Sequence, residues 1–224
     1  ARLQLAGGGT NTAALAFGGY DGTPGYQNET ETWNGTNWTE VNNLTQARAQ
    51  LAGCGTNTAA IGFGGRKDSG ATEEEFAGTE SWNGTNWTEV NNLNTSRFRN
   101  AGAGADNTSA ICFGGSPGPA TTELWNGTNW TEVNDLNTGR EDPGNSGTAI
   151  AALAFGGSAS PKQQTEDWNG ASWSETSDLS TGRKELGGAG TSTSSLAFGG
   201  EAPPQTAATE EWSVPSNTIK VLTD

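Results

Sequence analysis

The tripeptide Phe-Gly-Gly occurs five times, opening at Phe17, Phe63, Phe113, Phe155 and Phe198. The steps between copies are 46, 50, 42 and 43 residues. A chain with such a period folds as one small unit stacked on copies of itself. Two further markers keep step with it. A tryptophan closes a Thr-Glu-type segment at Trp33, Trp82, Trp125, Trp168 and Trp212, and an arginine opens each unit at Arg2, Arg48, Arg97, Arg140 and Arg183. From tryptophan to the next arginine is 15 residues every time, and from arginine to the Phe of Phe-Gly-Gly is 15 or 16. From that Phe to the tryptophan the distance runs 16, 19, 12, 13 and 14. Length variation is therefore confined to one connection per unit. The repeats account for residues 1–224 as a single domain, with no stretch left for a second one.

Each unit reads as four short strands, a to d. Strand a is rich in Ala and Gly, as in LAGGG from Leu5, LAGCG from Leu51, NAGAG from Asn100 and LGGAG from Leu186. Strand b is the apolar run into Phe-Gly-Gly, such as Ala13 to Phe17; strand c ends at the tryptophan; strand d follows, as in Trp38-Thr39-Glu40-Val41. Between c and d stands Asn34-Gly35, with counterparts at Asn83, Asn126 and Asn169. Asn-Gly favours a two-residue type I′ hairpin. That turn predicts Trp33 opposite Thr36 and Trp38 opposite Glu31, with both indoles on one face. No 3.6-residue apolar period signals a helix.

Four-stranded units of this length, repeated, predict an all-β fold: a five-bladed β-propeller. Small side chains on strand a let inner strands crowd an axis, and the tryptophans fill the wider space outside. A six-bladed ring completed by residues outside this sequence, or blades shared in an oligomer, are the alternatives. Five complete repeats favour five blades.

The pattern resembles the kelch repeat, with Arg near strand a, a diglycine closing strand b, an aromatic on strand c and a Trp on strand d. Trp-Asn-Gly stands where kelch repeats carry Tyr-Asp-Pro. The last unit departs: after Trp212 come Ser-Val-Pro-Ser and then Asn217 to Asp224, read as a divergent closing strand. More narrowly, WNGTNWTEVNDLNTGR from Trp125 to Arg140 resembles kelch-like repeats of virion-associated proteins in marine bacteriophages of the cyanophage type. That resemblance implies a virion or extracellular location and carries over no catalytic residue.

Composition excludes several chemistries. The chain has no histidine, so it holds no Ser-His-Asp triad and no imidazole metal ligand. Two cysteines cannot supply a thiolate zinc site, and Cys54 and Cys112 sit in small-residue runs as buried hydrophobes would. A net charge of −14 opposes binding to a phosphate backbone, and no apolar run is long enough to span a membrane. No calcium loop, phosphate cradle or dinucleotide fingerprint occurs, and nothing asks for a cofactor or a metal. The Asn-X-Thr triplets at Asn34 and Asn37 match glycosylation acceptors, but the hairpin already explains Asn34.

In a four-stranded meander the variable b–c loops share a face with the d–a connections. Loops on a rigid scaffold are where binding usually resides. Blade 1 offers Tyr20, Asp21 and Tyr26; blade 2 offers Arg66, Lys67, Asp68, Glu73, Glu74, Glu75 and Phe76. Blade 3 has Ser116-Pro117-Gly118-Pro119, blade 4 Lys162-Gln163-Gln164 and blade 5 Pro203-Pro204-Gln205. Rings beside carboxylates and amides suit sugars. The five arginines match Glu31, Glu80, Glu123, Glu166 and Glu210, two residues before each strand-c tryptophan, as repeated structural ion pairs. Blade 4 breaks strand a with Glu141, Asp142 and Pro143, read as an irregular start exposed to solvent. The sequence thus supports a non-enzymatic binding module for a surface glycan or another virion protein. A structural spacer in a particle is the first alternative, and a glycosidase using Glu141 and Asp142 is the second.

Overall fold

A computed structural model describes residues 1–22, 25–68, 73–202 and 205–214. It is all-β, a five-bladed propeller of antiparallel meanders. Blade 1 comprises Ala6–Gly9, Ala14–Phe17, Thr30–Trp33 and Trp38–Val41 as strands a to d. Blades 2, 3 and 4 begin at Ala52–Gly55, Ala101–Asp106 and Gly144–Thr148 and repeat that order. Blade 5 shows three strands, Gly187–Gly190, Ser194–Phe198 and Thr209–Ser213. The expected closing strand from Asn217 onward lies outside the described residues.

Neighbouring strands a pack side by side, blade 1 on 2, 2 on 3, 3 on 4 and 4 on 5. Glycine makes that approach close enough. A Cβ on Gly8 would lie 2.6 Å from the Gly55 carbonyl oxygen, and one on Gly102 would lie 2.3 Å from the Phe63 ring. The Phe of Phe-Gly-Gly in blades 1 to 4 drives into the next blade. Phe17 meets Trp87 at 4.7 Å between ring centroids, Phe63 meets Trp130 at 4.8 Å and Phe113 meets Trp173 at 4.9 Å. Those strand-d indoles also donate backwards: Trp87 Nε1 to Thr30 Oγ1, Trp130 to Thr79 and Trp173 to Thr122, at 2.9–3.1 Å. The strand-c indoles instead donate within their own blade, as Trp82 does to the Asn57 carbonyl at 2.9 Å. Burying a large apolar side chain contributes roughly 1.5–3 kcal/mol. Four such interfaces, each a separate apolar cluster, hold the blades together. Between blades 4 and 5, where the sequence lacks a second tryptophan, a cavity of about 50 Å³ opens beside Phe155, Thr165 and Trp212.

The hairpin register differs from the expected one. Trp33 stands opposite Trp38 and Glu31 opposite Glu40, so the loop has four residues. Only Gly35 takes positive φ, at 91°. The Asn34 carboxamide oxygen accepts the N–H groups of Thr36 and Asn37, both at 2.9 Å, and this side-chain turn replaces the type I′ geometry. The two indoles still share one face, 5.6 Å apart.

The arginines are internal clamps. Arg140 donates to the carbonyls of Gly156 at 3.2 Å and Gln164 at 2.7 Å, and pairs with Glu166. Glu166 in turn accepts the backbone N–H groups of Asn137 and Thr138. Arg48–Glu80, Arg97–Glu123 and Arg183–Glu210 repeat the pairing, and Arg2–Glu31 does so closer to solvent. Burial pulls the Arg48 guanidinium down to about 10, while Glu80 and Glu89 hold it up. It stays charged at neutral pH. Cys54 and Cys112 are free and buried, and burial raises both thiols, Cys112 to about 11.

Candidate functional site

Two residues after each arginine the backbone takes the left-handed conformation without glycine. Gln4, Gln50, Arg99, Asp142 and Glu185 have φ between 52° and 56°. Such a residue costs on the order of 1 kcal/mol or more. Inter-blade hydrogen bonds offset that cost. Gln50 N–H donates to the Gln4 carbonyl at 3.0 Å, Arg99 to Gln50 at 2.9 Å, Asp142 to Arg99 at 2.9 Å and Glu185 to Asp142 at 3.1 Å. The backbone groups between the Gln4 carbonyl and the Glu185 N–H are thus engaged in a chain around the axis, and the five side chains are left to furnish its mouth.

That mouth is a cavity of about 440 Å³. Gln4, Gln50, Arg99, Asp142 and Glu185 line it together with Asn100, and Leu3 and Leu5 add apolar wall. Below it the axial channel continues between the glycine-rich strands a. Arg99 organises the charged side: Nη1 lies 3.1 Å from Glu141 Oε2 and Nε lies 3.8 Å from Asp142 Oδ2. Asp142 Oδ2, Arg99 Nε and Asn100 Oδ1 are buried with no hydrogen-bond partner. Buried polar atoms are nearly always paired; here Asp142 Oδ2 and Arg99 Nε face each other at 3.8 Å beside the cavity, while the Asn100 amide turns inward, its nitrogen donating to Cys112 Sγ at 3.3 Å.

Blade 4 therefore keeps a regular strand a, at Gly144–Thr148, and is not the exposed, irregular start expected from its sequence. Pro143 is buried, and the Asp142 side chain is only 14 % exposed. Burial raises the Asp142 carboxyl to about 6; Arg99 opposes the shift and Glu185 adds to it. The folded chain thus binds a proton here that the unfolded chain releases near pH 4. Stability from this site is present at low pH and is lost as pH rises from about 4 through about 6. That rise, from about 4 to about 6, corresponds to about 2–3 kcal/mol. Asp142→Asn is expected to flatten the decline in urea-unfolding free energy between pH 4 and pH 7. An unchanged slope would show that Asp142 titrates normally.

The loop residues expected to bind lie on the same face. Tyr20 bridges to Leu3, on the rim of the mouth, and to Tyr26, with the two rings edge-to-face at 5.8 Å. Asp21 closes the loop, its backbone N–H donating to the Gly25 carbonyl at 3.3 Å. In blade 2, Arg66–Asp68 pairs with Glu73–Glu75 as a two-stranded ribbon. Its side chains are largely engaged. Arg66 stacks 3.6 Å over the Phe98 ring of blade 3, and Lys67 lies 3.7 Å from Glu74 and 4.7 Å over Phe76. Phe76 also faces Arg48 at 5.4 Å, beside a cavity of about 260 Å³. Thr23, Pro24, residues 69–72, Pro203, Pro204 and the side chains of Asp68 and Glu73 lie outside the described residues.

Gln4, Gln50, Arg99 and Glu185 were not anticipated from sequence. Their signal is the position two after each clamp arginine, the place in the fixed frame where residue type passes from amide to cation to carboxylate.

No family model matches the chain, and no curated protein matches it either. Among solved structures it is similar to YjhT, with a TM-score of 0.77 at 14 % identity, over 96 % of this chain and 82 % of that one. At that identity the likeness is one of fold, and the fold of this chain is the β-propeller.

Proposed function

We propose that this protein is a non-enzymatic recognition module that reads a polar ligand, a surface glycan in the first instance, at its axial mouth and the loops around it. The carrying observation is the contrast between frame and mouth. The frame repeats the same Arg–Glu clamp and Phe–Trp contact from blade to blade, whereas the mouth presents Gln4, Gln50, Arg99, Asp142 and Glu185 from one structural position. Amides, a guanidinium and carboxylates suit the paired hydroxyls of a sugar. The Tyr20–Tyr26 pair, joined to the rim through Leu3, offers ring faces to its C–H surface. Display on a virion or outside a cell rests on the Trp125–Arg140 phrase, and the partner there would be a surface glycan or a neighbouring particle protein.

A glycan array probed with the parent chain, Gln50→Ala and Arg99→Ala tests this. Specific binding that both variants lose supports the proposal. No binding by the parent would move the weight to a structural spacer. A second reading is favoured by one observation, the protonatable Asp142 beside Glu141 and Glu185. Turnover of an arrayed glycan that Asp142→Asn abolishes would make the site hydrolytic.

A further inference from the structure

Three of the four described blade interfaces share one composition, a Phe and a Thr of one blade under the strand-d indole of the next, and the fourth buries Phe155 and Leu153 without that indole; among the described residues the seam between blades 5 and 1 leaves both of its halves uncovered. On blade 5, Phe198 and Leu196 are each 44 % exposed, while their counterparts Phe17, Phe63, Leu15 and Ile61 are buried. Thr209 is exposed, whereas Thr30, Thr79 and Thr122 lie buried under the next blade's indole. The space beside Gly199 is open, but Gly18, Gly64, Gly114 and Gly156 each face the carbonyl of the next blade's clamp arginine. On blade 1, Trp38 is 49 % exposed against 5–6 % for Trp87, Trp130 and Trp173. Leu5 is exposed where Leu51 and Leu186 are buried.

The backbone tells the same story. The hydrogen-bond chain around the axis runs from Gln4 to Glu185, and among the described residues it does not close. Its loose ends are the Gln4 N–H and the Glu185 carbonyl. Strands a of blades 1 and 5 do not pack on each other as the other adjacent pairs do.

We propose that this seam is a docking slot for one kelch-type blade, which inserts as a sixth unit. The continuity of the interface specifies the occupant. It must offer a Phe-Gly-Gly strand and a threonine to Trp38, and a Trp-bearing hairpin to Phe198 and Thr209. It must also carry an Arg-X-X start whose left-handed residue donates to Glu185 and accepts from Gln4. The slot is narrow, since Gln4 and Glu185 line one cavity. A second whole copy does not fit by these contacts: its blade 1 would fill the slot, and its blade 2 would fall on blade 1 of the first copy.

The test joins a copy of residues 97–138 directly in front of Ala1. This restores the 15-residue spacing from tryptophan to Arg2. The controls are the unextended chain and a chain extended by a scrambled segment of the same length. The copied blade is expected to raise the melting temperature by roughly 10 °C over both controls. It should also remove the acrylamide-quenchable fluorescence of Trp38. Phe198→Asp should reverse much of that rise in the extended chain and leave the unextended chain unchanged. An equal melting temperature in all three chains would overturn the proposal. So would a dimeric unextended chain, or one whose Trp38 is already shielded by residues 215–224.

Discussion

Arg140→Ala is expected to destabilise the fold by about 3–5 kcal/mol, the cost of stranding one member of a buried ion pair. For a chain of this length that lowers the melting temperature by roughly 10 °C or more. Arg140 and Glu166 are each 1 % exposed, so no water replaces the lost guanidinium. The Gly156 carbonyl loses the guanidinium donor at the same time, and the Gln164 carbonyl keeps only the Gly156 N–H at 3.0 Å. Those two carbonyls mark the end of strand b and the approach to strand c, so the clamp fixes both connections that lead to the variable loop. Arg2→Ala is the internal contrast. Glu31 is 38 % exposed and can rehydrate, so the expected loss is about 1 kcal/mol or less. Replacing both partners, Arg140→Met with Glu166→Leu, should recover much of the single-variant loss, because the stranded charge goes with its partner. Equal losses for Arg2→Ala and Arg140→Ala in urea unfolding would show that burial does not set the strength of the clamp.

The frame was legible because the same contacts recur at the same spacing. A glutamate two residues before each strand-c tryptophan and an arginine at each unit start can pair in every blade only if every blade has the same register. The hairpin register was not legible from Asn-Gly alone. The dipeptide signals a turn, but the Asn34 carboxamide captures two backbone N–H groups and lengthens the loop to four residues. The mouth was hidden for another reason. Gln, Arg, Asp and Glu carry no common propensity for positive φ, and the hydrogen bonds between blades impose it. The uncovered seam was equally invisible, since Phe198 and Trp38 have the same sequence surroundings as their buried counterparts. Exposure there depends on what stands next to the blade.

That dependence sets the second large effect, which separates two tryptophans of one sequence pattern. Trp87→Ala is expected to cost about 3–5 kcal/mol. Its ring lies 4.7 Å from Phe17 and 5.4 Å from Trp82, and its indole N–H is the donor to the buried Thr30 hydroxyl. Truncation leaves a void between blades 1 and 2 and a threonine hydroxyl without its partner, and each adds to the lost transfer energy. Trp38→Ala removes the same side chain at the same place in blade 1, but 49 % of it already faces solvent. Its contact with Trp33, 5.6 Å between ring centroids, is lost, and the expected cost is about 1 kcal/mol. Urea unfolding of the two variants under one condition measures the difference directly. Comparable losses would mean that blade 1 buries Trp38 against a neighbour in solution. A large loss for Trp87 alone would show that the interface between blades, and not the hairpin itself, gives the tryptophans their weight.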